Sequence, residues 1–376
     1  MFDFIGLGNG LINVVLLLVF LVVLVVIHEL GHFIVARRSD VRVHEFGVGF
    51  PPRAKLLGTD SKGTEYTLNW LPIGGFVRLE GEEGESVDAQ AFVNKPLRTR
   101  LTILLAGVLM NILLAFVVFS FIAGFADPVA DVRIGEVQPN TPAATAGLVG
   151  SHIVGQDAQG HNLYDDTGDV IIAVDGHRFP VFDRVEDITP TITYLRAHAG
   201  GPVTLTVRNA AGQVRDVAVT LRIPGPGQGP LGIVLNPRLV SGEIQHDPLT
   251  ALTLGARRTV DAATVVLRGL GDLITNFTNP PISGPVGMVD IIGQIREIGQ
   301  PIYLLWLFAV LSANLAVVNV LPFPPLDGGR AAVAIIKKLS GNRISIAAER
   351  LAYLTGFVLL MALLVWVTFF DIQRLG

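Results

Sequence analysis

Four stretches of apolar sequence limit what this chain can fold into, because each is near the roughly 20 residues a helix needs to cross about 30 Å of hydrocarbon. They run from about residue 11 to 27, with a continuation through a polar insertion to about 36, and over 101–125, 302–321 and 351–370. A backbone in lipid must satisfy its own hydrogen bonds, so each reads as an α-helix. Half of the 376 residues are apolar and 16% are charged, against about 25% charged in soluble domains. Those values exclude a purely soluble enzyme and a mainly disordered chain. The first stretch has no basic leader and no small-residue cleavage site, so it reads as a spanning helix and not as a removable signal peptide. The net charge of −4 is spread along the chain, with no footprint for nucleic acid. There are no cysteines, which removes disulfides and thiolate ligands from consideration.

Lysine and arginine counts give the orientation. None precedes the first span, ten lie between the first and second, and five between the third and fourth. Those two loops are expected on the cytoplasmic side of the cell membrane, with both termini and residues 126–300 outside. The expected divisions are a first membrane part (1–125), an extracytoplasmic module (126–240), an amphipathic-helix linker (241–301) and a second membrane part (302–376). Within the module, β-like runs at 170–174, 203–207 and 214–221 alternate with turn dipeptides such as Asp175-Gly176 and Gly200-Gly201. A helical stretch at 188–199 and a further strand at 231–235, after the turn-rich 224–230, complete an α+β unit. In 249–275 apolar positions recur at helical spacing with Arg257, Arg258, Asp261 and Arg268 opposite, the pattern of a helix lying on the membrane surface or on the module. Glu82-Glu83 and Asp165-Asp166 read as charge runs facing water, and His152, His161 and His177 as solvated loop residues. No internal repeat is present.

Polar residues inside the spans carry the chemistry. His28-Glu29-Leu30-Gly31-His32 ends the first apolar run. Residues four apart share a helix face, so both imidazoles can approach one ion, and Glu29 can meet a water that the ion activates. This is the H-E-x-x-H pattern of two histidine ligands and a carboxylate base. The competing reading is that the imidazoles cap the helix or hydrogen-bond within the bundle. Three titratable groups in an apolar span favour function, because such groups are expensive in lipid. A catalytic zinc usually takes three protein ligands, and the best candidate for the third is Asp327, in the proline-broken run from Asn319 to Gly329. From residue 11 to His28 is about 25 Å at 1.5 Å per residue. That places His28 near the cytoplasmic end of the first span, where the inward-running third span delivers Asn319 and Asp327. Ligand type alone does not separate zinc from another divalent ion.

With these motifs in hand, the chain resembles the site-2 proteases, the intramembrane zinc metalloproteases, and among them the bacterial regulator of sigma-E protease type. The resemblance rests on His28-Glu29-x-x-His32, on N-x-x-P-x-P-x-L-D-G-G at 319–329, and on a module between them similar to a circularly permuted PDZ domain. The run 71–78, containing Gly74, Gly75 and Phe76, resembles the family's membrane-re-entrant β-hairpin; 91–98 with Ala106, Gly107 and Asn111 resembles its approach into the second span. Val108 departs from the proline that many members carry there. The resemblance implies a polytopic α-helical membrane protein of four transmembrane helices, with a re-entrant β-hairpin and an inserted extracytoplasmic α+β PDZ-like domain. It implies one catalytic Zn2+ held by His28, His32 and Asp327, with Glu29 as base and Asn319 contacting substrate.

Its expected partners are single-pass transmembrane proteins already trimmed outside, such as anti-sigma factors or remnant signal peptides, within the lipid bilayer. Such a substrate must be unwound locally, and its freed amides need partners. A strand edge at 74–79, whose glycines admit a close backbone, can supply them by strand addition; a plain tight turn is the alternative at Gly74-Gly75. The module either binds a peptide C-terminus or acts as a size filter, with the filter favoured. A membrane-anchored scaffold and a metal transporter are weaker alternatives: the first has no need of four polar groups in lipid, and the second needs polar residues on both membrane sides.

Overall fold

The computed structural model describes residues 4–82, 84, 86–156, 162–177, 189–225, 228–236, 240–275, 280, 282–297, 299–341 and 343–375. Among them, four helices are long and apolar enough to cross a membrane: Gly10–Arg38, Leu97–Phe125, Pro301–Val320 and Ile346–Arg374. The chain divides into two units, one of Met1–Phe121 with Leu252–Gly376, the other Ile122–Ala251.

In the first unit, α1 (Phe4–Arg38) is closed by Arg37 and Arg38 in its last turn, where cations suit the helix C-terminus. Asp40 then takes a positive φ of 54°, and Val41 N–H returns to Ala36 O at 2.9 Å. The chain continues into β1 (Val43–Thr59) and β2 (Glu65–Leu79). This hairpin is longer than the expected 71–78 and has two registers. Phe46 is paired with Val77 on one side and with Tyr66 on the other, while 53–59 pairs with 65–69. Among the described residues, 75–79 therefore has a strand partner on one side only. At the far end the hairpin exposes Phe50, Leu57, Trp70, Leu71 and Ile73, an apolar tip with no core to cover it.

Helix α2 (Leu97–Phe125) follows. It meets α1 where side chains are smallest: a Cβ on Gly31 would strike the Ala106 carbonyl and stand 3.0 Å from Gly107 Cα. In lipid, where apolar burial gives little drive, such small-residue contacts set helix packing. Large apolar side chains face outward instead, including Leu109, Leu113 and Val117 of α2.

The second unit is a sheet with short helices. Beyond β3 (Asp127–Val137) and α3 (Pro142–Thr145), β4 (Ile153–Gln156) and β5 (Asn162–Tyr164) form a separate hairpin. Then come β6 (Val170–Val174), α4 (Thr189–Ala197), β7 (Pro202–Arg208), β8 (Val214–Thr220), β9 (Ile233–Leu235) and β10 (Val240–Ile244). The sheet order is β10-β3-β6-β7-β8, with β9 also on β3. Its core holds Ile134, Val174, Leu205 and Val207, all fully buried. Strand β10 lies past the expected module end at 240 and pairs Ile244 with Asp127, so chain entering and leaving the unit run side by side. Asp127, fully buried, accepts from His246 Nε2 at 2.8 Å. Asp165 does not merely face water: the Thr167 hydroxyl and His152 hold its carboxyl well below the usual carboxylate range. His161 lies outside the described residues.

Returning to the first unit, α5 (Pro248–Thr275) matches the expected amphipathic helix, yet Arg258 is buried while Arg257 is exposed. The reason is close packing at Gly255, where a Cβ would collide with Ser120 of α2. A second helix in the expected linker, α6 (Pro285–Glu297), was not legible as an element. Its Gly287 N–H donates to buried Asp371 Oδ2 at 2.9 Å, and Arg296 Nη1 donates to Asn13 Oδ1 at 2.6 Å. Three helices complete the fold: α7 (Pro301–Val320), α8 (Asp327–Leu339) and α9 (Ile346–Leu375). Pro322, Pro324 and Pro325 cannot continue α7, and Gly328, Gly329 and Gly356 let the 320–324 backbone pack directly against α8 and α9.

Candidate metal centre

One turn of α1 brings His28 and His32 together, with Nε2 atoms 3.1 Å apart and both side chains buried. The start of α8 delivers Asp327 Oδ2 to 2.8 Å from His28 Nε2 and 3.2 Å from His32 Nε2. Residues 299 positions apart in the sequence thus converge on one point. Glu29 stands beside them, and donor atoms of His28, Glu29 and His32 all lie within 4.8 Å of one another. Among the described residues, this is the one such group of three.

Three details fit the set to a zinc ion. Ligands about 2.0–2.1 Å from a tetrahedral centre sit roughly 3.3 Å apart, close to the 2.8–3.2 Å spread observed. His32 Nδ1–H donates to Ile103 O at 2.7 Å, which leaves the Nε2 lone pair pointing at Asp327 and His28; such a bond fixes the tautomer of a ligating imidazole. Finally, a Cβ on Gly107 would stand 2.5 Å from His32 Nε2 and 2.7 Å from His28 Nε2. The α2 backbone leaves open the face from which both nitrogens are reached.

Asn111, one turn beyond Gly107, lies fully buried with its amide 3.4 Å from His28 Nδ1, and its Oδ1 has no partner. Amide O and N are interchangeable by rotation. Turned by 180°, Oδ1 accepts from His28 Nδ1–H, the partner that a ligating imidazole needs, and Nδ2 becomes a free donor in the site. Ser312 of α7 holds this turn of α2 by donating to Asn111 O at 2.8 Å. In the sequence Gly107 is a landmark of the resemblance, and Asn111 is such a landmark and an unassigned guess for an oxyanion stabiliser; an asparagine inside an apolar span is the signal that marks it.

The remaining expected residues divide. Gly75 packs against the cluster, since a Cβ there would stand 3.8 Å from Glu29 Cγ and 2.9 Å from Gly47 O. Gly74 has a positive φ of 73°, and Phe76 lies over Gly47. Asn319, half-buried near the end of α7, makes no hydrogen bond to the three donors. Glu82 corrects the sequence reading: it does not just face water but binds Arg330 Nη2 at 2.6 Å. Burial opposes charge on Arg330, and Glu82 overrides that, raising the guanidinium above its ordinary pKa. Glu83 lies outside the described residues.

The sequence profile of Peptidase family M50 matches residues 16–363. A "putative zinc metalloprotease" of Clostridium acetobutylicum is 30% identical over 361 residues, covering 96% of this chain and 97% of the relative. Zinc metalloprotease RasP of Geobacillus kaustophilus is 28% identical, covering 93% and 95% respectively. RasP of Oceanobacillus iheyensis is 27% identical, covering 94% and 97%. Metal-binding geometry among membrane-spanning helices and a match over nearly the whole length agree: the chain belongs to peptidase family M50, the site-2 proteases, and is a zinc metalloprotease of the membrane.

Proposed function

We propose that the protein cleaves transmembrane segments of single-pass membrane proteins whose outer domains have already been trimmed, anti-sigma factors and remnant signal peptides being the substrate class. The observation that carries this reading is the triangle of His28, His32 and Asp327 donor atoms at 2.8–3.2 Å beside Glu29. His28, His32 and Asp327 hold the zinc. When bound, it supplies the Lewis acid that makes water nucleophilic at neutral pH and polarises a carbonyl. Glu29 takes the proton from the attacking water and delivers it to the leaving amine. Asn111 orients the His28 ring, and Asn319 contacts the substrate near the metal.

A substrate helix has no spare amides, so it must open before a bond can be cut. The one-sided strand 75–79 receives the opened backbone by strand addition, and Gly75 lets that backbone come within reach of Glu29. The exposed apolar tip of the hairpin supports its dipping into the bilayer. Residues 126–240 form the PDZ-like module, which screens out bulky outer domains. Both termini and the module lie outside the cell membrane, with the catalytic cluster near the cytoplasmic side, as the lysine and arginine counts indicate.

The test is cleavage of a truncated single-pass substrate by the purified protein and by Glu29→Gln, with bound zinc measured in both. Cutting within the apolar segment by the wild type alone, with about one zinc in each protein, is the expected result. Absence of zinc from both would overturn the site, and cleavage by Glu29→Gln at wild-type rate would overturn the role of Glu29.

A further inference from the structure

A cavity of about 1270 Å³ lies in the first unit beside the catalytic cluster, with Phe76 and Pro325 in its wall. Its charge is one-sided. Seven lysines and arginines line it against two carboxylates, Glu82 and Glu349. Those two are already committed, to Arg330 at 2.6 Å and to Lys337 at 3.0 Å. Arg78 and Lys95 reach outside the cavity, to Glu45 at 3.1 Å and Asp40 at 3.8 Å. Arg100, Lys338 and Arg350 have no carboxylate within 4.0 Å among the described residues. Arg100 lies over the Phe92 ring at 5.2 Å, and its Nε is buried without a hydrogen-bond partner. Half-buried Arg100 and exposed Lys338 and Arg350 therefore line one space without a carboxylate in contact, although Glu349 is near enough to attract Arg100, and the wall keeps a net positive charge that an anion would favour.

The position of the cavity narrows what that counter-ion is. Leu97 and Ile346 are in its wall and are also the first residues of α2 and α9, two of the membrane-spanning helices. The cavity thus sits at the depth of the lipid headgroups, whichever side of the membrane that is. Its wall is also apolar, through Phe92, Val93 and Ile344, and next in sequence to its lining residues Arg350 and Tyr353, Leu351 and Leu354 of α9 are exposed. A ligand that satisfies both halves is an amphiphile with an anionic head. We infer that this cavity binds the phosphate-bearing headgroup of an anionic bilayer phospholipid, with Arg100, Lys338 and Arg350 around the phosphate and the acyl chains along α9. A basic pocket between membrane helices is the usual form of such a site.

The test uses the full-length protein, reconstituted with phosphatidylglycerol or phosphatidylcholine of the same acyl chains, and reads lipid retention by native mass spectrometry. Phosphatidylglycerol is expected to be retained at least tenfold more strongly. Each basic group contributes on the order of fivefold at an anionic headgroup, so K338Q/R350Q should lose roughly 30-fold, while R350K, which keeps the charge, should retain binding. Zinc content, unchanged in these variants, reports that the fold is intact. Equal retention of the two lipids, or an unaltered K338Q/R350Q, overturns the proposal. So does tight binding of inorganic phosphate without lipid selectivity, which would make this a free-anion site. Tighter binding of an acidic peptide than of phosphatidylglycerol, with the same variant sensitivity, would assign the cavity to a protein segment instead.

Discussion

Gly107→Ala sets helix propensity against the space that the two imidazoles occupy. The residue lies in the interior of α2, where alanine is favoured over glycine by about 1 kcal/mol, so on propensity alone the variant should be slightly more stable. The added methyl, however, would stand 2.5 and 2.7 Å from the two Nε2 atoms, about 0.7–0.9 Å inside ordinary van der Waals contact. Neither imidazole can retreat freely: His32 is tied to Ile103 O at 2.7 Å, and His28 is packed between Asp327 and Asn111. If these imidazoles hold the zinc as proposed, displacing one by this much exceeds the roughly 0.2 Å tolerance of a metal site. Zinc affinity should therefore fall by more than the roughly 10–100-fold that outer-sphere changes cost. The assay is competition with a zinc chelator on the purified protein, beside thermal unfolding after exhaustive chelation. Gly124→Ala on the same helix is the control, because a Cβ there meets Ala251 Cβ at an unstrained 3.6 Å. Wild-type zinc affinity in Gly107→Ala would refute the argument that both nitrogens share an ion on that face.

Four further outcomes are expected. Asn111→Leu should weaken zinc by roughly 10–100-fold with the protein still folded, and an unchanged chelator titration would remove Asn111 from the support of His28. Gly75→Val should cut substrate turnover at least tenfold while leaving zinc content at about one per chain; loss of zinc instead would mean that the strand shapes the metal site and not the substrate edge. Asp127→Ala should destabilise the second unit by about 1–3 kcal/mol by stranding a half-buried His246, read as faster hydrogen exchange along 127–137 and 240–244. Asp60 is held at about 2, chiefly by Arg37, and accepts from the Lys62 and Thr64 amides. Its native pKa lies below the unfolded value, so protection of those amides should be constant above about pH 4 and decline as the pH falls toward 2; decline already near pH 6 would contradict the assignment.

What the sequence disclosed follows from which interactions are local. Apolar length is a one-dimensional property, so the spans at 101–125 and 302–321 fall within a few residues of α2 and α7. The meeting of His28 with His32 needs only the pitch of one helix, and its meeting with Asp327 follows from counting depth along two spans. The neighbours of those groups were not legible in the same way. Whether Gly107 and Asn111 face the histidines depends on the rotation of α2 about its own axis, which is set by contact with Gly31 in another helix. Helix α6 was hidden because Gly287 and Gly293 weaken its local preference. Its N-terminal partner, Asp371, comes from the far end of the chain. The double register of the hairpin was likewise invisible, since a single alternation of side chains does not say that one strand has partners on both edges.

The construction of the site reflects the solvent around it. In water a catalytic cluster can be held by burying large apolar side chains behind it, but in lipid that drive is absent, and close backbone contact has to substitute. Around His28, Glu29, His32 and Asp327 the elements meet at glycine: Gly31 between α1 and α2, Gly107 beneath the imidazoles, Gly75 between the hairpin and Glu29, and Gly328 and Gly329 against the 320–324 backbone. Backbone contacts of this kind allow only small displacements before atoms overlap, so they place Asp327 and the two histidines with little freedom. The cost is helix propensity at four helical glycines, roughly 1 kcal/mol each. It follows that the protein should lose its zinc to a chelator without losing its helices, because what holds α8 against the loop before it is packing that the ion does not touch. Collapse of helical content on chelation would place the ion, and not the glycine contacts, in charge of assembling the centre.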